Sequence, residues 1–348
     1  MGGIFGRREV VRAGVLAAGA LLLGAAMLRG PGRAAAPEEG RLRVAVVLSV
    51  GGLGDRSFND MAHAGLVRAE NELGVIGAYG EPAGMSEDER YLDFYADQGF
   101  DLVFAVGFLM TSALEKVAPR HPQTRFAIID AVVEQPNVAS LVFREHEGSY
   151  LVGALTARHS RSGVAGIVKG LDVPLLMRFE HGFRQGFQAE RAHLGRPPGR
   201  VLSMVAGSFS DPVRGKELTR VMVREGADVV YQAAGQTGNG VIAAAKEAGI
   251  LAIGVDANQN HERPGTMLTS MVKGVDVAVY ETCRALVEGR FDARVQSFGL
   301  AEGGVGWALD EHNRPLVTAE DEERLRVLAG AIATGALVVE PLPEPEPR

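Results

Sequence analysis

The sequence predicts an α/β protein with two doubly wound, mainly parallel sheets. Short runs of Val, Ile, Leu and Ala alternate with longer amphipathic stretches from Leu42 onward, which is the pattern of βα units. The chain has 348 residues, of which 46% are apolar and 23% charged, so it is long enough for two domains and too apolar for a disordered chain. We therefore expect two lobes joined by a hinge that several chain segments cross.

The first 36 residues predict a secretory signal peptide. A basic stretch through Arg12 precedes an apolar run at 13–28 and the small residues of 34–36. The pair Arg7-Arg8 fits the twin-arginine export route, and the general route stays open. An uncleaved membrane helix is the alternative, but the run is shorter than the roughly 20 residues that a membrane span needs. We expect a soluble periplasmic protein without a lipid anchor, because Cys283 is the sole cysteine.

The strands and helices are predicted in order along the chain. Apolar runs between turn residues indicate strands at 42–48, 102–106, 125–129, 138–142, 164–168, 201–205, 228–232 and 251–255. Helix starts are predicted from caps at Ser57, at Ser86 as a capping box with Glu89, and at Asp211 before Pro212. Each helix begins after a strand ends, so helix N-termini gather at the carboxyl edge of each sheet, where open α/β folds bind ligands.

The boundary between the lobes is predicted from a change in composition. A helix that starts near Glu147 ends in a polar stretch at 157–162, where we expect the main break, with a second crossing near 269–273. The tail alternates prolines with polar residues and is predicted to be disordered. The expected divisions are a signal peptide at 1–36, a first lobe at 41–157 plus about 272–290, a second lobe at 158–271 plus about 291–340, and a tail at 341–348.

Composition and motifs argue against several function classes. The net charge is −7, and the mature part is more acidic still, which argues against a nucleic-acid partner. None of the eight histidines pairs at the spacing of a metal site, and there is no nucleophile elbow or phosphate-loop lysine. The glycines of 235–240 are best explained by a tight turn with close packing. We expect no catalytic residues, metal ion or cofactor.

Acidic residues fall at the ends of predicted strands. Asp55, Asp130 and Asp256 each follow a strand, and ionised carboxylates accept hydrogen bonds from ribose hydroxyls or from the N–H groups of a base. Structural interpretations stay open: Asp55 could cap a helix together with Ser57, and the other two could begin turns. Lys273 could be a solvated surface charge.

Aromatic residues lie near these acids. Phe58 is at the start of a predicted helix, off its buried stripe, and Phe179, Phe183 and Phe187 recur at intervals of four. We expect at most two of these four rings to face one cleft and Phe187 to belong to the core. A base stacked between rings gains roughly 1 to 3 kcal/mol per stack.

Six segments in unbroken order resemble the successive motifs of the basic membrane protein family. They lie at 55–59, 145–153, 178–183, 233–238, 253–256 and 268–273. This family comprises substrate-binding proteins of ABC importers and includes purine nucleoside receptors. The resemblance implies a type I periplasmic binding protein fold, with two lobes joined by a multi-strand hinge and a ligand between them.

The resemblance also implies roles for individual residues. Phe58 would stack on the base, and Asn59 and Asp130 would form hydrogen bonds with polar edges of the base or the sugar. Phe183 would be the second stacking ring, with Phe179 as the substitute. Asp256 and Lys273 would hold ribose hydroxyls, and Gly235 would offer a backbone contact. The candidate ligand-binding residues are Asp55, Ser57, Phe58, Asn59, Asp130, Phe179, Phe183, Gly235, Asp256 and Lys273.

The expected function is capture of a small molecule, a purine nucleoside, for an ABC permease and its ATPase, by a monomer that breaks no bond. Lys169-Gly170 and Asn258-Gln259 depart from the family pattern, and flavins or other small molecules are alternative ligands. A ligand sensor that signals to a membrane partner and a secreted nucleoside hydrolase are the alternative functions. The hydrolase lacks the clustered aspartates that would hold a metal and its activated water.

Overall fold

The structure is a computed structural model that describes residues 40–342. The predicted signal peptide at 1–36 and residues 343–348 of the predicted tail lie outside the described residues. Within 40–342, no helix combines the length and the apolar character needed to cross a membrane.

The described chain alternates strands and helices. The strands are β1 (Arg43–Val47), β2 (Ile76–Gly80), β3 (Leu102–Val106), β4 (Arg125–Ile129), β5 (Val138–Phe143), β6 (Val164–Lys169), β7 (Arg200–Val205), β8 (Val229–Ala233), β9 (Leu251–Asp256), β10 (Met267–Lys273), β11 (Val295–Phe298) and β12 (Val305–Trp307). The helices are α1 (Phe58–Leu73), α2 (Asp88–Asp97), α3 (Thr111–Val117), α4 (Glu145–His159), α5 (Pro174–His193), α6 (Pro212–Arg224), α7 (Thr237–Ala248), α8 (Val275–Val287) and α9 (Ala319–Ala333).

Two six-stranded sheets organise these elements. The first has the order β11-β5-β4-β3-β1-β2, and every neighbouring pair is parallel. The second has the order β12-β10-β9-β8-β6-β7, in which only β12 runs antiparallel to its neighbour. We call each sheet with its covering helices the first and the second lobe. The predicted α/β fold with two doubly wound sheets is confirmed.

The central strands are buried on both faces, which explains their continuous apolar runs. In the first lobe, Val44 and Val46 pack on the α1 and α8 side, while Ala45 and Val47 pack on the α2 and α3 side. The eight predicted strands are all present and differ by at most one residue at either end. Four strands were not among the predicted eight: β2, β11 and β12 lie at sheet edges and lack such runs, and in the central strand β10 Thr269 and Ser270 interrupt the apolar run.

The predicted boundary between the lobes is wrong in two places. Helix α4, assigned to the first lobe, packs on α5, α9, β10 and β12, so it belongs to the second lobe, and the chain crosses after Phe143 rather than at 157–162. Strand β11, assigned to the second lobe, pairs with β5 in the first. The chain crosses again after Lys273, from β10 into α8, which packs on α1.

Glycines allow α4 and α5 to pack very closely. A Cβ atom added at Gly182 would lie 2.1 Å from the carbonyl oxygen of His146, and one at Gly186 would lie 2.0 Å from that of Tyr150. Since real Cβ atoms never approach an oxygen so closely, only glycine fits at these positions. This contact fixes α4 to the second lobe.

The predicted helix caps have mixed outcomes. Asp211 caps α6 by accepting a hydrogen bond from the N–H of Arg214 at 2.9 Å, as predicted. Ser86 lies inside a 3₁₀ turn (Met85–Glu87), and α2 begins after it without a side-chain cap, so the predicted capping box is wrong. Ser57 precedes α1, but its hydroxyl does not cap the helix. Asp55 takes that role, as described below.

Candidate ligand-binding site

A cavity lies between the two lobes, at the carboxyl ends of their strands. Its empty space, including solvent at the opening, is about 620 Å³. Both lobes contribute to its wall. The lining residues are Ser49, Val50, Asp55, Phe58, Asn59, Gly107, Phe108 and Asp130 from the first lobe, and Leu175, Leu176, Phe179, Phe209, Ala233, Ala234, Gly235, Gln236, Val255, Asp256 and Lys273 from strands and helices of the second.

The structure brings most of the candidate residues to this cavity. Those that line it are Asp55, Phe58, Asn59, Asp130, Phe179, Gly235, Asp256 and Lys273. Ser57 and Phe183 are the candidates that do not line it. Ser57 lies directly behind Asp256, since its hydroxyl donates a hydrogen bond to the Asp256 carboxylate at 2.6 Å.

Phe183 was expected to be the second stacking ring, and the structure places it in the core instead. It is fully buried, stacks on Phe187 at 6.3 Å between ring centroids, and packs beside Tyr231. Residues four apart share one face of a helix, and only Phe179, nearest the start of α5, reaches the cavity. Phe187 belongs to the core, as expected.

Two further rings at the cavity were missed. Phe108 follows β3 and Phe209 precedes α6, and they meet edge to face across the cleft, with centroids 6.4 Å apart. Both come shortly after the carboxyl end of a strand, which is the signal that identified the acids. Gly235 has a left-handed backbone with φ of 54°, and a Cβ there would lie 3.3 Å from the Phe209 carbonyl oxygen.

Lys273 is a buried cation at the junction of the lobes. Its Nζ donates hydrogen bonds to both carboxylate oxygens of Asp130, at 2.8 and 2.6 Å, and lies 5.1 Å from the centroid of the Phe58 ring. Burial lowers the pKa of Lys273, but the negative charges of Asp130, Glu145 and Asp256 outweigh this and raise it above its ordinary value. Lys273 is therefore charged, and its interpretation as a solvated surface residue is wrong.

Asp130 and Asp256 have an unusual backbone. Their φ values are 67° and 61°, in the left-handed region that few residues other than glycine adopt. Each lies at the carboxyl end of its strand, β4 or β9, and each contributes to the cavity wall. Burial raises the pKa of Asp256, while attraction to Lys273 and the hydrogen bond from Ser57 act against this shift. Strained residues of this kind concentrate at binding sites.

Asp55 caps α1 from within the cavity wall. Its carboxylate accepts hydrogen bonds from the backbone N–H groups of Ser57 and Asn59 at 2.9 Å and of Asp60 at 3.2 Å. Burial raises the pKa of Asp55 to about 6, although these three donors favour the ionised form. The open interpretation of Asp55 as a helix cap is therefore correct, and its oxygens are largely occupied.

The lobes touch at one edge of the cavity. Besides the bond between Ser57 and Asp256, the Gln259 side chain donates to the carbonyl oxygen of Arg56 at 2.8 Å, and Arg56 forms an ion pair with Glu262. Arg56 and Ser57 belong to the first lobe and their partners to the second. The structure is thus a closed arrangement of the two lobes.

The cavity wall can bind a flat ring that carries hydroxyl groups. Phe58, Phe108, Phe179 and Phe209 offer aromatic surface, and the carboxylates of Asp130 and Asp256 accept hydrogen bonds from hydroxyl or N–H donors. Acidic side chains outnumber the single lining cation, Lys273. The charge therefore disfavours phosphorylated ligands.

Comparisons with known proteins agree with this geometry. A family model described as "ABC transporter substrate-binding protein PnrA-like" matches residues 42–337. A solved solute-binding protein of an ABC transporter system from Aeropyrum pernix is 35% identical, with a TM-score of 0.78 over 85% of this chain and 92% of that one.

Two curated relatives carry further names. An uncharacterized lipoprotein from Pyrococcus abyssi is 35% identical over 81% of this chain and 72% of its own length. A protein from Lactococcus lactis named ABC transporter nucleoside-binding protein BmpA is 29% identical over 84% of this chain and 88% of its own. The name of the Lactococcus lactis protein describes a binding protein. The chain belongs to the basic membrane protein family of ABC transporter substrate-binding proteins.

Proposed function

We propose that the protein captures a purine nucleoside between its lobes and delivers it, unaltered, to an ABC permease with its ATPase. The observation that carries the proposal is a cavity between the lobes whose wall contains aromatic rings and carboxylates from both of them. The nucleoside-binding name of the Lactococcus lactis relative supports this choice of ligand. Closure excludes water, which strengthens the polar contacts and gives the permease a distinct shape to bind.

The base would lie against Phe58. Its ring lines the cavity at the start of α1, and Phe179 and Phe209 from the second lobe are available for the opposite face. The side-chain oxygen Oδ1 of Asn59 accepts a hydrogen bond from the backbone N–H of Ser49 at 2.8 Å, so the side-chain NH₂ group is the part that can donate to a ring nitrogen. Stacking then fixes the plane of the base, and Asn59 forms a hydrogen bond with its edge.

The ribose would lie toward Asp256 and Lys273. Stacking supplies roughly 1 to 3 kcal/mol per base, whereas micromolar binding needs about 8 kcal/mol, so polar contacts must supply the rest. The Ser57 hydroxyl holds one Asp256 oxygen, which leaves the other for a sugar hydroxyl. Hydrogen bonds to an ionised carboxylate are among the strong ones.

We further propose that the protein acts outside the cytoplasm as a monomer. The predicted signal peptide supports this location. The Pyrococcus abyssi relative is named a lipoprotein, so the expectation of a chain without a lipid anchor is not part of this proposal.

A thermal-shift screen tests the proposed ligand. Nucleosides, free bases, ribose and flavins are each added to the purified protein. A ligand at 100 times its dissociation constant stabilises the bound form by about 2.7 kcal/mol, so a purine nucleoside should raise the melting temperature clearly. A shift with flavins alone, or with none of these compounds, contradicts the proposal. Release of free hypoxanthine from inosine would instead indicate a hydrolase.

A further inference from the structure

Glu145 is a buried carboxyl group at the junction of the lobes. It is fully buried at the start of α4, where the chain passes from the first lobe to the second. Among the described residues, neither of its carboxylate oxygens accepts a hydrogen bond of normal geometry. An ionised carboxylate in this state is costly, so a group of this kind calls for an explanation.

The groups that face Glu145 come from several elements. Lys273 Nζ lies 3.6 Å from one of its oxygens, and Arg178 Nη1 lies 3.7 Å from the other. Both distances exceed a normal hydrogen bond, and Lys273 donates to Asp130 instead. The charged or titratable groups around Glu145 and its helix end are Asp130 after β4, Arg178 and His181 on α5, Arg144, His146 and Glu147 at α4, Tyr231 on β8, Asp256 on β9 and Lys273 on β10.

This cluster holds more negative than positive charge. Three carboxyl groups, those of Asp130, Glu145 and Asp256, surround the one buried ammonium of Lys273. The Asp130 carboxylate accepts a hydrogen bond from Lys273, and the Asp256 carboxylate accepts one from Ser57. Glu145 has no such bond, so it is the member of the cluster that gains most from losing its charge when water leaves.

We propose that Glu145 is a positioning residue for ligand binding, whose carboxyl group takes up a proton from solvent when the lobes close. In its neutral form it does not compete with Asp130 for the Lys273 ammonium, so Lys273 stays hydrogen-bonded to Asp130. The inference rests on the proposed function, because closure requires a ligand in the cavity. Glu145 itself lies behind Lys273 and does not line the cavity.

The direction of the pH dependence follows from linkage. In the closed structure, burial raises the pKa of Glu145 to about 7 from its ordinary 4.5; the attraction of Lys273 opposes this shift and the repulsion of Asp130 adds to it. In an open protein, water reaches the cluster and the pKa returns toward its ordinary value. Ligand affinity is therefore highest at low pH and is lost as pH rises toward the pKa of the closed form, by at most about tenfold per pH unit.

Calorimetry tests the inference. Adenosine, guanosine and inosine are titrated into the wild-type protein, and the tightest binder is then used between about pH 5.5 and about pH 7.5, in buffers that differ in ionisation enthalpy. We expect the wild type to take up nearly one proton at about pH 6 and to lose roughly twentyfold in affinity across this range. Proton uptake is measured on the wild type alone, so this result does not depend on any variant folding.

Glu145→Gln is the matching variant, because an amide mimics the neutral carboxyl group. We expect it to lose most of this pH dependence and to bind at least tenfold more tightly than the wild type at about pH 7.5. A purely structural role predicts weaker binding at every pH. Glu147→Gln is the control, because Glu147 lies in the same helical turn but accepts hydrogen bonds from Arg144 and from the backbone N–H of Leu300. This variant should keep the wild-type dependence of affinity on pH.

The outcomes separate the two proposals. If the wild type binds a nucleoside without proton uptake, or if Glu145→Gln keeps the wild-type slope, the role of Glu145 is wrong and the proposed function stands. If none of the three nucleosides binds the wild type, the proposed function fails, and the role of Glu145 fails with it.

Discussion

Asp130 and Asp256 occupy corresponding places in the two lobes. Each is a non-glycine residue in the left-handed region directly at a strand end, and each has its carboxylate fixed, by Lys273 or by Ser57. Such fixation stabilises a strained backbone and keeps the acceptor oxygens in one orientation before a ligand arrives. The hydrogen bond from Ser57 to Asp256 also joins the lobes.

The coupling between Ser57 and Asp256 leads to a prediction at this scale. We expect Asp256→Ala to weaken nucleoside binding at least tenfold and Ser57→Ala to weaken it less, because the hydroxyl only orients the carboxylate. In the Asp256→Ala background, Ser57→Ala should have little further effect on affinity, since its partner is gone. Dissociation constants for the four proteins of this double-mutant cycle provide the measurement. Additive losses would contradict the assigned role of Ser57.

Single residues at the site were predictable to a limited degree. The position of an acid after a strand is visible in sequence, and this placed Asp130 and Asp256 at the cavity. Which of Phe179 and Phe183 faces the cavity was not predictable, because both lie on one helical stripe and only the packing of α5 against α4 and β8 decides between them. The bond from Ser57 to Asp256 joins residues 199 positions apart, which no local pattern reveals.

At the scale of elements, the pair α4 and α5 organises the second lobe. Their glycines bring the two backbones into contact, and nearly all of α4 is buried. A helix without a polar face gives no sequence signal for which sheet it covers. This explains why α4 was assigned to the wrong lobe, whereas strands with continuous apolar runs were located to within one residue.

The close contact predicts a large effect of one methyl group. Gly186→Ala places a Cβ 2.0 Å from the carbonyl oxygen of Tyr150, so the helices must separate, and we expect a loss of about 1 to 3 kcal/mol in the free energy of unfolding. Gly330→Ala is the matched control, because that helical glycine of α9 has no atom within 4 Å of an added Cβ. The control should gain about 0.5 to 1 kcal/mol. Urea unfolding of both variants measures this, and equal effects would contradict the packing argument.

At the scale of the whole molecule, the two lobes meet around the cavity through a small set of contacts. The ion pair between Arg56 and Glu262 lies at the rim, with Arg56 about half exposed, and the chain itself crosses between the lobes after Phe143 and after Lys273. Contacts of this kind bias the balance between open and closed forms without touching the ligand. Ligand affinity then depends on the fraction of protein that can close.

The rim contact predicts a modest effect on affinity. We expect Glu262→Gln to weaken nucleoside binding by about twofold to fivefold, because a partly exposed ion pair of this kind contributes up to about 1 kcal/mol to closure. Glu322→Gln is the control, since its pair with Arg314 lies within the second lobe, although its carboxylate is more exposed than that of Glu262. Calorimetry on both variants, with small-angle scattering of the unliganded proteins, provides the measurement. An equal loss in the control would show that the rim pair has no role in closure.

The most direct test of the central claim is a calorimetric comparison of a purine nucleoside, its free base and ribose on the wild type and on Phe58→Ala. We predict that the nucleoside binds with a stoichiometry of about one and more tightly than either fragment, since stacking and hydroxyl contacts are both needed to reach micromolar affinity. Phe58→Ala should bind it at least tenfold more weakly with an unchanged melting temperature. Equal affinity in the two proteins, or no binding of any purine nucleoside to the wild type, would contradict the assignment of this cavity.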